Sequence, residues 1–321
     1  MMKSRNALAG LAVYISLACI SMANAQPSST QDNNRLTLWY REPAKVCMDE
    51  ALPVGNGRLG AMIFGTTGTE RIVLDEDSLW TGDENPGGDY NHMGAYQFLG
   101  ELRIVLPGHE AAQNYRRDLD IGQALAHVSY DAGGVSYQRE VFASHPAQVL
   151  VVRLTASRPG SYTGQIELRD SHRAKTASAD NRLSAAGALD NGLKYETQLV
   201  ALHQGGTLRP EGGTLRFSAC DSLTLIVGAG TDYAMNYSSH YRGADPHQRV
   251  IGQVNAAAAK PFEELRSEHV ADFRSLLVRV SLDLGPSTPD QRAAPTNRTL
   301  LRPPPNGVRI GQPIALPLFE E

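Results

Sequence analysis

The chain has 321 residues, 41% hydrophobic and 20% charged, proportions of a soluble globular protein with a sizeable core. Thirty basic residues against 34 acidic ones leave a formal charge of −4, without the clustered basic surface that nucleic-acid binding requires. Thirty glycines and eighteen prolines favour many turns over long helices.

The N-terminus reads as a targeting segment. Lys3 and Arg5 form a positive head, Ala7 to Ile20 is an apolar run broken only by Ser16, and Ala23-Asn24-Ala25 offers a cleavage site. Residues 1–25 are therefore expected to be a signal peptide cut after Ala25, giving a secreted or periplasmic product, with 26–34 a flexible N-terminus. The apolar run is too short to span a bilayer comfortably, and no later span exists, so no membrane span is expected. Removing Lys3 and Arg5 leaves 28 basic residues against 34 acidic ones, a net of −6. Two cysteines remain, Cys47 and Cys220. In an oxidising compartment they either pair or stay as buried free thiols.

Short segments rich in Val, Ile, Leu, Tyr and Thr then recur between glycine-rich turns. Strands are predicted over 36–40, 59–64, 71–74, 124–130 and 135–143, the last two joined by the hairpin turn Asp131-Ala132-Gly133-Gly134. Residues 148–156 hold Val149-Leu150-Val151-Val152, apolar on both faces, as in a strand covered on both sides. Strands at 162–169, 195–203 and 223–229 extend a series that predicts a mainly β fold, a sandwich of two large antiparallel sheets.

A short helical segment follows, over about 246–277. It starts with an alanine-rich stretch, and Pro261 stands where a first-turn proline would open a second helix. Phe262, Leu265, His269, Phe273 and Leu276 are spaced as one helix face. Val278 to Leu284 returns to period two and predicts a last strand. Eight of the eighteen prolines lie between Pro286 and Glu321, so 285–321 is predicted to be an unstructured linker or tail.

Two stretches stand out. The first is Leu52-Pro53-Val54-Gly55-Asn56-Gly57-Arg58-Leu59-Gly60-Ala61-Met62-Ile63-Phe64-Gly65, and the second runs from Leu74 through Asp75-Glu76-Asp77-Ser78-Leu79-Trp80 to Gly82. Asn56-Gly57 is a turn signal, since both residues tolerate positive φ, and Gly60 would admit a close backbone neighbour. Trp80 beside carboxylates would suit the C–H faces and hydroxyls of a sugar. Equally, Trp80 would pack in the sandwich while Asp75 and Asp77 cap turns.

These stretches resemble the N-terminal domain of glycoside hydrolase family 95, the α-L-fucosidase and α-L-galactosidase family. The resemblance continues through Gly94 to Gly100, Tyr115 to Asp120, Gly133 to Glu140 and Phe142 to Ser144. It reaches Leu284, so it covers about 35–284 in the family's order. It implies a β-sandwich of the supersandwich type, followed in the family by a helical linker, an (α/α)6 barrel and a C-terminal β domain. Family members are inverting hydrolases. Their proton-donating glutamic acid and their water-activating asparagine and aspartate belong to the barrel, which this sequence does not contain. The linker pattern persists through Thr288 to Arg292 and dissolves from about Arg298, so a frameshift or premature stop is the expectation. No catalytic residue is therefore assigned. The candidates for substrate binding or a domain interface are Asn56, Arg58, Glu76, Asp77 and Trp80, and the expected partners are a fucosylated carbohydrate and the missing barrel. L-galactose is the alternative sugar, and a stand-alone carbohydrate-binding module the alternative function.

Other chemistries lack their motifs. Scattered histidines without His-Glu-x-x-His or Cys-x-x-Cys support no metal, and no cofactor is expected. Asp75, Glu76, Asp77, Asp83, Glu84 and Asp89 lack calcium-loop spacing. His92, His240 and His247 read as surface or hydrogen-bonded residues. Asn236 and Asn297 head glycosylation sequons that matter only in a eukaryotic host.

Overall fold

The structure, a computed structural model, describes residues 36–82, 84–281 and 288–296. The expected signal peptide and flexible N-terminus, Asp83, residues 282–287 and 297–321 lie outside the described residues.

The chain runs through β1 (Thr37–Tyr40), a one-turn helix α1 (Cys47–Glu50), β2 (Leu52–Gly55), β3 (Leu59–Ile63), β4 (Thr69–Glu76) and β5 (Gly100–Val105). It continues with β6 (Gln113–Asp120), β7 (Leu125–Ala132), β8 (Val135–Ser144), β9 (Val149–Ala156) and β10 (Tyr162–Asp170). Next come β11 (Ala177–Ala179), β12 (Arg182–Ala188), β13 (Lys194–Gln204), β14 (Thr207–Glu211), β15 (Thr214–Cys220) and β16 (Ser222–Thr231). Helices α2 (His247–Ala258), α3 (Phe262–Leu277) and α4 (Pro289–Ala293) follow.

Nine strands form one antiparallel sheet in the order β1-β6-β7-β8-β9-β16-β13-β12-β11, and seven form the other, β14-β15-β10-β5-β4-β3-β2. The predicted two-sheet sandwich is thus the fold. Period-two alternation supplies its core: Leu102 and Ile104 of β5, Ile72 and Leu74 of β4, and Ala126 and Val128 of β7 all point into the space between the sheets. Both outer strands of the seven-stranded sheet carry a proline, Pro53 in β2 and Pro210 in β14, where a missing N–H leaves no inner ladder bond unmade. Gly133 and Gly134 turn β7 into β8 with φ of 56° and 73°, the left-handed pair that a two-residue hairpin needs.

Helices α2 and α3 cover the outer face of the larger sheet. Val254 and Ala257 of α2 and Leu265 of α3 close over Val149, Val151, Phe142, Val200 and Ile226. This explains why residues 149–152 are apolar on both faces. Gly228 of β16 lets α2 come close: a Cβ there would lie 2.6 Å from Val254 Cγ2. The predicted stripe on α3 holds through its middle, with Leu265 and His269 buried, but Leu276 projects beyond the sheet. The strand predicted from Val278 is not formed in its described part. The last turn of α3 instead captures the N–H groups of Val278, Arg279 and Val280, which bond to Arg274, Leu276 and Leu277 carbonyls. Residues 288–296, predicted to be linker, contain α4, opened by a capping box between Thr288 and Gln291. Thr296 Oγ1 accepts from the edge N–H of Trp39 at 2.8 Å.

Two charged groupings tie the sheets and helices. Glu70 of β4 and Arg139 of β8 pair across the core with both side chains almost wholly buried, and Glu70 also accepts from the Gly65 N–H at 2.9 Å. On the outer face, Asp118, His127 and Glu140 stand in register on β6, β7 and β8. His127 bonds Asp118 at 2.9 Å and Glu140 at 3.1 Å, and Arg266 of α3 bonds Glu140 at 2.8 Å. Cys47 and Cys220 are both free thiols.

Candidate functional site

The β2–β3 hairpin reaches across one end of the sandwich. Gly57 takes the positive φ of 90°, while Asn56 holds the turn with its side chain. Asn56 Oδ1 accepts from the N–H groups of Arg58 (3.0 Å) and Leu59 (2.8 Å), and its Nδ2 donates to the Ser144 carbonyl at 3.0 Å. Arg58 then lies between the sheets. Its guanidinium donates to Glu76 Oε1 (3.3 Å), to the Ala229 carbonyl (2.5 Å) and to both the side chain and carbonyl of Gln148 (2.9 and 3.3 Å). Glu76, the last residue of β4, faces inward by the same alternation that buries Leu74 and is 1% exposed. Its second oxygen accepts from Ser78 N–H (2.9 Å) and Ser78 Oγ (2.5 Å), and Ser78 Oγ bonds Thr231 Oγ1 at 2.5 Å. One guanidinium thus joins β4, β16 and the β8–β9 turn.

Above this floor opens a cavity of about 820 Å³. The β4–β5 loop contributes Asp77, Trp80 and Tyr96, and the β16–α2 loop contributes Tyr233, Tyr237 and Tyr241. Trp80 is neither core nor free: its Nε1 donates to the Met93 carbonyl at 3.1 Å, and Tyr96 meets it edge-on, centroids 4.7 Å apart. Gly82 and Gly94 press so closely on the indole that a Cβ on either would clash with it. Asn191, from the β12–β13 loop, donates to the carbonyls of Trp80 (2.9 Å) and Gly82 (2.6 Å) and accepts from Arg242 at 2.9 Å. Glu84 and His240 link the two long loops at 3.0 Å.

The cavity is electrostatically mixed. Burial pulls the Arg58 guanidinium down, and the Glu76 carboxylate partly offsets this. Asp77 is exposed at the mouth, yet partial burial and the neighbouring Glu76 raise its carboxyl above the usual range. Asp75 lies on the outer face, also raised, chiefly by burial. Among the described residues, no group of three or more His, Cys, Asp and Glu could hold a metal ion.

The sequence candidates divide accordingly. Arg58, Glu76, Asp77 and Trp80 all line the cavity, whereas Asn56 sits behind it as a turn brace. Arg58 and Glu76 have most of their hydrogen-bonding capacity engaged within the protein, so they form the floor. Asp77 and Trp80 form the wall. Gly60 makes only an ordinary 3.6 Å contact to Asp75, so no close backbone approach depends on it. His92, His240 and His247 are paired with Asp89, Glu84 and Glu196. Sequence reading missed Asn191, Arg242, Arg249 and the tyrosines. The one available signal was the spacing of Tyr233, Tyr237 and Tyr241, every fourth residue in a polar loop.

Exposed apolar side chains concentrate at this same end. Of the thirteen large ones among the described residues, all but Val46 and Met48 lie there. They are Leu36 before β1, four in the β4–β5 loop, three in the β16–α2 loop, and Leu276, Val278 and Val280 where α3 returns.

Two overlapping stretches, residues 38–95 and 85–236, match the family described as glycosyl hydrolase family 65, N-terminal domain. The chain belongs to that family. This glycosyl hydrolase N-terminal domain is 26% identical to "Alpha-L-fucosidase 2" of Arabidopsis thaliana, over 85% of the chain and 39% of the relative. It is 28% identical to "Probable alpha-fucosidase A" of Aspergillus oryzae, over 79% of the chain and 42% of the relative. The chain spans about two fifths of the length of these curated relatives. Among solved structures it is similar to a putative kojibiose phosphorylase from human microbiome, with 11% identity and a TM-score of 0.43 over 69% of this chain and 35% of that one. A bacterial glucoamylase complexed with acarbose gives 7% and 0.35, over 74% and 40%. The expectation of an N-terminal glycoside hydrolase domain is met.

Proposed function

We propose that this domain is the N-terminal module of an α-L-fucosidase-type enzyme of family 95, secreted or periplasmic, acting on fucosylated oligosaccharides or plant polysaccharide side chains. By itself the module is inactive, and its cavity end is the seat of a separate catalytic domain. The names of the relatives support the sugar. The observation that carries the modular role is the crowding of exposed apolar side chains at one end, the pattern of a surface that another folded body covers.

Inverting hydrolysis needs a proton donor and a base on opposite sides of the scissile bond, with water between. Glu76 is spent on Arg58 and Ser78, and Glu84 bonds His240, so of the cavity's described carboxylates Asp77 alone is left, and an acid–base pair needs two.

The full chain, incubated with a fucosyl-α-1,2-linked oligosaccharide, should release no fucose; clear turnover would refute the proposal. It should also bind an apolar fluorescent dye and self-associate, and both effects should fall when Met235 and Tyr237, exposed and part of no core cluster, are replaced by serine. A dye-silent monomer would count equally against it.

A further inference from the structure

We propose that the cavity is itself a sugar-binding site, holding one neutral pyranose of a saccharide against the aromatic rings of its two loops. This rests on reading the chain as a glycoside hydrolase module, and it adds that the module recognises carbohydrate without the catalytic domain.

Size and lining come first. A cavity of about 820 Å³ falls within the range of small-molecule sites and accommodates one or two sugar rings. Trp80 and Tyr96 arrive from one loop, Tyr233, Tyr237 and Tyr241 from the other. Apolar ring faces beside hydrogen-bonding groups match a pyranose, which presents a C–H face and a rim of hydroxyls.

Charge then selects the class of sugar. Arg58 is paired with Glu76, and His240 with Glu84. Among the described residues, what remains is Asp77 at the mouth, together with Arg242 and Arg249. Each of these arginines gives one N–H to a backbone carbonyl, Asn191 at 2.9 Å and Thr231 at 2.8 Å, and a guanidinium has five to give. One acceptor and two partly used donors suit hydroxyl groups. They do not form the concentrated positive cradle that a phosphate or sulfate ester requires.

The site is also held ready. His240 and Tyr241 are consecutive non-glycine residues in the left-handed region, φ 51° and 57°, a conformation kept only where surroundings enforce it. The enforcement is visible: Ala234 N–H bonds the Tyr241 carbonyl at 3.0 Å, Gly243 N–H bonds the Asp232 carbonyl at 2.6 Å, and Asn236 Oδ1 accepts from Ser238 N–H at 3.1 Å. Opposite, the two glycines and the Met93 carbonyl fix the Trp80 indole. Rigid rings lose little entropy on binding.

The chain has two tryptophans, and Trp39 lies on β1, away from the cavity, so the two indole N–H signals in a ¹⁵N-correlated NMR spectrum report separately. A Trp39→Phe variant assigns them. Titration of the full chain with 2′-fucosyllactose should shift the Trp80 signal saturably, at millimolar concentration or below, and leave Trp39 still. A sialylated lactose of similar size should bind more weakly. Arg249→Ala and Tyr237→Ala should each weaken binding about fivefold or more, with the thermal midpoint unchanged in Tyr237→Ala, whose side chain is exposed, and lowered slightly in Arg249→Ala by loss of the bond to the Thr231 carbonyl. A Trp80 signal that does not saturate, an equal response to the anionic sugar, or binding indifferent to both variants would overturn the inference. None of these results bears on fucose release or dye binding, so the module reading would stand or fall separately.

Discussion

Gly228 offers a direct test of how α2 is seated. An alanine methyl there would lie 2.6 Å from Val254 Cγ2, with Val250 Cγ1 and the Val250 carbonyl oxygen next at 3.6 and 3.7 Å. Contact between carbon atoms is comfortable near 3.5–4.0 Å, so the helix must lift by about an ångström or Val254 must rotate. Rotation is unfavourable, because a helical valine has essentially one χ1 state. Overpacking of this kind costs about 1–3 kcal/mol, and alanine returns roughly 0.5–1 kcal/mol over glycine within a strand, so Gly228→Ala should destabilise by about 0.5–2 kcal/mol. Val254 is fully buried, and Val254→Ala alone should cost about 1–2 kcal/mol from two lost methyl groups plus residual cavity. In the double variant the new methyl occupies the space the valine vacates, so the pair should cost about 1 kcal/mol or more less than the sum. Urea unfolding followed by far-ultraviolet circular dichroism measures all four corners of the cycle. Strict additivity, or a Gly228→Ala protein as stable as the parent, would refute this account of helix seating.

Three further outcomes are expected. Asp118 and Glu140 outweigh burial at His127 and raise its pKa from 6.5 to about 9. The folded value lies above the unfolded one, so the stabilisation is complete below pH 6.5 and is lost as pH rises through 9. It amounts to about 2 kcal/mol after allowance for partial exposure, and His127→Gln should flatten the unfolding free energy over that window. Glu70→Gln removes the counter-charge from buried Arg139, whose Nε already lacks a partner, and should destabilise by about 3 kcal/mol in chemical denaturation. A loss under about 1 kcal/mol would show that solvent reaches the pair. Arg58→Ala should cost about 3 kcal/mol, and Arg58→Lys should recover under half of it, since an ammonium cannot reach Glu76, Ala229 and Gln148 together. Full rescue by lysine would reduce Arg58 to a point charge.

The fold was legible where one chemical pattern determines one structure. Alternation of Ile166 and Leu168 with Gln165 and Glu167, the doubly apolar run at 149–152 and the Gly133-Gly134 turn each have a single good solution, whereas β5, just as regular in Leu102 and Ile104, went unpredicted. The strands β11 and β12 are mostly alanine, serine and glycine, and β14 is five residues with a proline; they exist because neighbouring strands offer ladder partners. Val278 to Ser281 alternated as a strand would, but the end of a helix claimed the N–H groups of Val278, Arg279 and Val280 first. At the site, Arg58, Glu76, Asp77 and Trp80 were found because they lie within two compact motifs. Asn191 and Arg249 were not, because each lies more than a hundred residues along the chain from those motifs, and only the β12–β13 loop and the seating of α2 beside β16 bring them there.

The prolines of β2 and β14 bear on what this molecule does when crowded. Strand-by-strand growth, the route to fibres, needs a margin that offers an unbroken row of donors, and both margins of the smaller sheet interrupt that row with an imino nitrogen. In the larger sheet, β11 has three residues and Thr296 occupies the Trp39 donor of β1. Sticky encounters between copies are therefore steered to the loop-bearing end. They should yield small, reversible, end-to-end clusters in place of ordered filaments.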